Sequence, residues 1–254
     1  MKSALVLAVV VLLVVAAVFF FVPPYPQPQS YFAFADDRTL FGIPNFWNVS
    51  SNALFLLPGI AGSWLVSSKS RSGVLAGLFP AYHVFFAGVL LTAFGSAWFH
   101  LAPDSHTLFW DRLPMTIAFM SLLAIVVGEH VSVRPGKLLL WPLLVIGAFS
   151  VIYWDWSESR LAGDLRFYGL VQFLPLLLIP AIMLTHRSVF DRTGFIWLTL
   201  LLYLLAKACE LLDAAIYNAG QLISGHSIKH VLAAAGPAVL IVGGIKRRLR
   251  DVGD

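Results

Sequence analysis

Residues 74–100 read VLAGLFPAYHVFFAGVLLTAFGSAWFH, with no Asp, Glu, Lys or Arg among them. A helix needs about 20 mainly apolar residues to cross the hydrocarbon of a bilayer. This stretch is long enough, and it does not stand alone. Comparable segments lie near 3–22, 45–66, 108–128, 137–154, 166–184, 194–213 and 226–245. The 254-residue chain is 59% hydrophobic and 12% charged, where soluble domains carry about a quarter charged residues. The segments show almost none of the polar face expected of a surface helix in water. Backbone polar groups in lipid must be bonded within the segment. The expected fold is therefore an all-α polytopic membrane protein. A transmembrane β-barrel would show strands of about ten alternating residues, and no such alternation occurs. We read 1–254 as a single transmembrane domain, with a seven-helix core over 45–245 and an extra N-terminal hydrophobic helix over 3–22.

Segment 3–22 has two readings. Lys2 and the apolar run suit a cleaved signal. The length of that run, and Pro23-Pro24 after it with no small-x-small site, favour an uncleaved anchor. The Pro- and Gln-rich stretch 23–30 reads as a short extended linker. Cys209 is the single cysteine, so no intrachain disulfide can form.

Lys and Arg set the orientation. With a cytoplasmic N-terminus, the inner segments carry Lys2, Lys69, Arg71, Arg134, Lys137, Arg187, Arg192 and the tail Lys246, Arg247, Arg248 and Arg250. The outer segments carry Arg38, Arg160 and Arg166, with Arg112 at a helix start. Both termini then face the cytoplasm. The net charge of +4 reflects this topology. Nucleic-acid binding would need a basic face on a soluble module, and the chain has no room for one. The sequence has no bearing on oligomeric state.

Five polar clusters interrupt the spans: Asn45/Asn48/Asn52, Ser96/His100, Asp111, Glu210/Asp213 and His226/His230. The orientation above puts all five in the outer third of the membrane, with Asp111 in the first turn of its helix. Ionisable groups in a bilayer pair with each other, line a cavity or mark a functional path. Residues four apart share a helix face, so Ser96 lies with His100, and His226 with His230. Three neutral imidazoles that leave a fourth position open form a catalytic zinc arrangement, although other divalent ions also accept such ligands. His100, His226 and His230 are the candidate ligands. Asp111 would be the base that orients and deprotonates water. Ser96 could donate to a developing oxyanion. Glu210 or Asp213 could accept the second ring N–H of a ligand histidine.

Plainer readings compete. Gly95-Ser96-Ala97 also suits close helix packing. Asp111 could pair with Arg112 or cap its helix. Lys207 and Glu210, three apart, could be a buried pair without a chemical part. His106 reads as a solvated loop residue and reserve ligand, and His83 as packing. Trp47, Trp98, Trp110, Tyr153, Trp154, Trp156 and Tyr217 read as an outer aromatic belt. Ser96 has no Gly-x-Ser-x-Gly elbow around it, and a serine-hydrolase reading leaves His226 and His230 unexplained.

Four motifs carry a resemblance: Asn45-Phe-Trp-Asn-Val-Ser-Ser-Asn52, Gly95-Ser-Ala-Trp-Phe-His100, Trp110-Asp-Arg-Leu-Pro-Met115 and Gly225-His-Ser-Ile-Lys-His230. In order and in spacing, over about 36–245, they resemble the alkaline ceramidase family. That family belongs to a superfamily of seven-helix membrane hydrolases that also holds the adiponectin and progestin receptors and the Per1-like proteins. The short loops and short tail resemble a prokaryotic member. The resemblance implies zinc on His100, His226 and His230, a catalytic water held by Asp111 with Ser96 beside it, and a lipid substrate, ceramide, cut at its amide to a sphingoid base and a fatty acid. One feature departs from the family. Its calcium-binding Asp-Trp-x-Glu motif and the Glu before Phe-Trp-Asn are replaced by Asp36-Asp37-Arg38 and Asn45. Calcium is left open, with Asp36, Asp37 and Asn45 as oxygen donors.

The function expected is an intramembrane zinc hydrolase of a ceramide-like lipid amide. The alternatives are a lipid-ester remodelling enzyme, a receptor-like protein with structural zinc, and an ion carrier using Lys207, Glu210 and Asp213. A carrier should show broken helices and a repeat at the midplane, and the sequence shows neither.

Overall fold

The computed structural model describes residues 2–68 and 73–250. Lys69 and Arg71, which entered the orientation argument, lie outside the described residues. Among those described there is no strand, and seven helices are long and apolar enough to cross a membrane. They run over Phe46–Ser67, Ala76–Leu101, Ser105–His130, Val133–Ser159, Arg166–Thr185, Gly194–Leu211 and Gly225–Lys246. The protein is a multi-pass integral membrane bundle.

Helix α1 (Lys2–Phe21) lies outside this core and packs on α7 (Arg166–Thr185). Arg166 fastens its end, with the guanidinium 4.9 Å from the Phe19 ring centroid and Nη1 donating to Val22 O at 3.1 Å. The first core span is broken. A five-residue helix, α2 (Phe46–Ser50), passes through a 3-10 turn (Ser51–Phe55) into α3 (Leu56–Ser67). A 3-10 stretch inside a helix commonly marks strain or function, and here it carries Ser51 and Asn52.

Helix α4 (Phe79–Leu101) packs on α5 (Ser105–His130). Gly95 allows their closest approach, because a Cβ there would lie 2.0 Å from Trp110 O. Small residues let membrane helices meet at backbone distance. Helix α5 starts three residues before the expected segment, because Asp104 and Thr107 form a capping box. The Asp104 carboxylate accepts from Thr107 N at 2.7 Å. That bond holds the Asp104 carboxyl below the usual carboxylate range. Asp111 therefore lies in the second turn of α5 rather than the first, and it is buried.

Helix α6 (Val133–Ser159) covers α5, and α8 (Gly194–Leu211) pairs with α10 (Gly225–Lys246), with the short α9 (Asp213–Gly220) between them in sequence. The core holds Phe85, Phe86, Leu123, Val126 and Ile179, while Trp64, Phe94, Trp141 and Leu211 face outward. Such an apolar exterior suits lipid, which solvates Leu as well as another helix does. The end of the bundle away from the histidines is closed by a buried ion pair. Arg247 reaches both Glu129 oxygens at 2.8 and 2.9 Å, and Tyr82 also bonds Glu129.

Candidate metal centre

Two helix ends build the site. The last turn of α4 brings His100, and the first two turns of α10 bring His226 and His230. Their ring centroids are 4.8 Å (His100–His226), 4.9 Å (His100–His230) and 5.0 Å (His226–His230) apart. One donor atom from each lies within 4.8 Å of the others, and all three residues are buried. Among the described residues this is the one such convergence of three or more His, Cys, Asp or Glu side chains.

The donor set fits zinc. Zn–N bonds of about 2.0–2.1 Å at tetrahedral angles place nitrogens roughly 3.3 Å apart, and His100 Nε2 lies 3.3 Å from His226 Nε2. Ser51 Oγ lies 2.7 Å from His230 Nδ1, and the buried His230 Nε2 meets no other partner. Holding one ring nitrogen with a neighbour is how proteins aim the other at a metal. One contact competes, since Lys229 Nζ lies 2.8 Å from His226 Nε2. Lys229 also donates to Glu210 Oε1 at 3.0 Å, so the ammonium keeps a partner when that imidazole nitrogen is taken up.

The asparagines brace the site. Asn48 Oδ1 accepts from Ser227 Oγ at 2.8 Å, and Asn48 Nδ2 donates to Asp36 O at 3.1 Å. Asn52 Nδ2 donates to Asn48 O at 2.7 Å. Asn45, in a left-handed backbone conformation (φ 49°), donates to His100 O at 2.9 Å. Asp36, Asp37 and Asn45 differ in their surroundings. The Asp36 carboxylate is held by Arg38 at 2.7 Å, Asp37 is exposed, and Asn45 turns to α4.

The Gly95 contact brings α4 and α5 together beside Ser96 and Asp111. Both face a cavity of about 350 Å³, as does His230. The far part of this cavity is apolar, lined by Val89, Leu122, Ile179, Leu200 and Pro237. Asp111 does not pair with Arg112. That guanidinium lies between Trp154 and Tyr168, 4.1 and 4.4 Å from their centroids, and its Nη2 donates to Gln27 Oε1. Trp154 is fully buried. It belongs to the core beneath the site rather than to an aromatic belt, whereas Trp47, Trp98, Trp110 and Trp156 are exposed.

Glu210 and Asp213 make no bond to an imidazole nitrogen. Glu210 pairs with Lys207 and Lys229. Asp213 accepts from two backbone amides, His226 N at 2.7 Å and Ala35 N at 3.0 Å. The imidazole-holding role expected of these acids is taken at His230 by Ser51. His106 sits exposed in the first turn of α5 against Trp98, away from the trio. His83 is half-buried in the second turn of α4.

Sequence reasoning missed Ser51, Lys229 and Phe34. Lys229 had a signal, standing three residues after His226 on an apolar helix. Phe34 had none. Its ring lies 4.8 Å from His100 and 5.0 Å from His226. It follows the stretch 23–30, expected to be a short extended linker. That stretch and the residues after it lie across the site, burying Gln27, stacking Tyr31 on Phe99 and bonding Tyr25 O to Leu165 N at 3.0 Å.

A family model described as Ceramidase matches residues 41–251. Comparison with curated proteins finds no match.

Proposed function

The chain belongs to the ceramidase family, and on that premise we propose that it is an intramembrane zinc-dependent hydrolase that cleaves the amide bond of a ceramide-like lipid to a long-chain base and a fatty acid. The observation that carries this reading is the convergence of three buried imidazoles, one of which, His230, lines a largely apolar cavity together with Ser96 and Asp111. His100, His226 and His230 would hold the ion. Bound zinc polarises a carbonyl and lowers the pKa of water to near 7.

The chain's own residues supply the rest. The acyl tail occupies the apolar depth between α4, α5, α7, α8 and α10, which sets the amide beside Ser96 and Asp111. Asp111 takes a proton from the attacking water as its oxygen adds to the amide carbon. Ser96 donates a hydrogen bond to the oxyanion that develops. The proton then passes to the leaving amine nitrogen as the C–N bond breaks. Phe34 and the segment around it keep bulk water from the imidazoles, which strengthens the electrostatics within.

The test is release of fatty acid from ceramides of several chain lengths by zinc-loaded protein in detergent, with an ester-linked lipid as control. Ceramide cleavage is the expected result. Cleavage of the ester lipid alone would move the reading to lipid remodelling. Cleavage of neither would favour a receptor-like protein with structural zinc.

We also place both termini in the cytoplasm and the His site toward the outer face, from the distribution of Lys and Arg. Reporters fused after Asp254 and inserted between α6 and α7 are expected on opposite sides. The same side for both would overturn this orientation.

A further inference from the structure

Two arginines are buried to nearly the same degree, Arg247 at 4% and Arg112 at 5% relative exposure. Arg247 has the Glu129 carboxylate at both ends of its fork. Arg112 forms no ion pair among the described residues. Its Nη2 bonds the neutral Gln27 side chain, and its Nε and Nη1 are buried without a partner. The Tyr168 ring beside it carries no charge either. A buried charge is costly unless paired, and the faces of Trp154 and Tyr168 offset only part of that cost. Five charged side chains line the reaction cavity, namely Arg112, Lys207, Lys229, Asp111 and Glu210. Glu210 engages both lysines, and Asp111 lies in no ion pair among the described residues. The cation left without a counter-ion is Arg112.

Its position says which end of a ligand it meets. Gln27, Pro28 and Tyr31 of the covering segment line the cavity beside Arg112, whereas the apolar depth lies elsewhere, around Ile179 and Leu200. Arg112 also follows Asp111 directly, so a group held there stays close to the reacting bond. We propose that Arg112 forms a subsite for an anionic group, a carboxylate or a phosphate, on the amphiphile that occupies this cavity. The proposal rests on the amide-hydrolase reading above. A guanidinium suits such oxygens because its planar N–H donors match their geometry. The anion has two sources. It is either a substituent on the headgroup side of the amide or the carboxylate of the released fatty acid.

Binding of matched lipids to the full-length protein in maltoside micelles tests this, read by tryptophan fluorescence, since Trp154 stacks on Arg112. N-lauroylglycine and N-lauroylethanolamine differ in the carboxylate. The first is expected to bind about 10–100-fold tighter, as a hydrogen bond to a charged group allows. Arg112→Gln should remove that difference, and Arg112→Lys should keep part of it. Laurate against dodecanol is the second arm. A preference dependent on Arg112 in that pair alone would assign the subsite to the product rather than the headgroup. Equal affinity within both pairs would overturn the proposal, and the wild-type comparison decides this even if Arg112→Gln fails to fold. Ceramide hydrolysis by the same preparation reports separately. Hydrolysis without an anion preference removes the subsite alone. A preference without hydrolysis of any amide removes the hydrolase reading alone.

Discussion

Asp111→Asn should lower ceramide turnover by about 10²–10⁴-fold, the usual contribution of a general base. The substitution keeps shape and polarity but removes the group that takes the proton. Asp111 is not one of the three converging histidines, so bound metal should stay at the wild-type level. Ser96→Ala removes one oxyanion donor and should cost no more than about 10²–10³-fold. Both variants keep the backbone contact at Gly95, since neither changes that residue or Trp110 O. Fatty-acid release and metal content are measured on the same preparations. Wild-type turnover in Asp111→Asn would show that the proton acceptor lies elsewhere.

Replacing His100, His226 or His230 by Ala is expected to remove both bound zinc and turnover. Each is buried, so water cannot readily stand in for the lost nitrogen. Ser51→Ala is the milder companion. It frees His230 Nδ1 without removing a ligand and should weaken metal affinity by about 10–100-fold, measured by competition with a chelator. Full zinc occupancy in all three histidine variants would rule out this site as the metal centre. Normal affinity in Ser51→Ala would leave the histidines in place but remove Ser51 from the orienting role.

Span existence was legible in the sequence because hydropathy is a local sum. Residues 74–100 can be read for it without knowing any neighbour, and the helix found over Ala76–Leu101 differs by one or two residues at each end. Helical spacing likewise puts Ser96 with His100, and His226 with His230, on common faces. The antiparallel run of consecutive spans then brings the starts of α5 and α10 to the end of α4.

The direction each face takes was decided by packing. Trp154 and Trp156 look alike in sequence, yet the rotation of α6 against α5 buries the first under Arg112 and leaves the second exposed. Glu210 could have faced an imidazole, and two lysines on different helices claimed it instead. Ser51 reaches His230 only because the first core span breaks into a 3-10 turn there. Phe34 lies on the imidazoles because its segment is pinned at Leu165, Asp213 and Leu222, each more than a hundred residues away. Periodicity along one helix fixes relative angles within it, whereas its absolute rotation depends on which side chains of other helices interlock with it. The sequence by itself determined the spans, their alternation and the shared faces of the histidines. Tertiary packing alone decided which side chains meet them, because those contacts join residues that no single window contains.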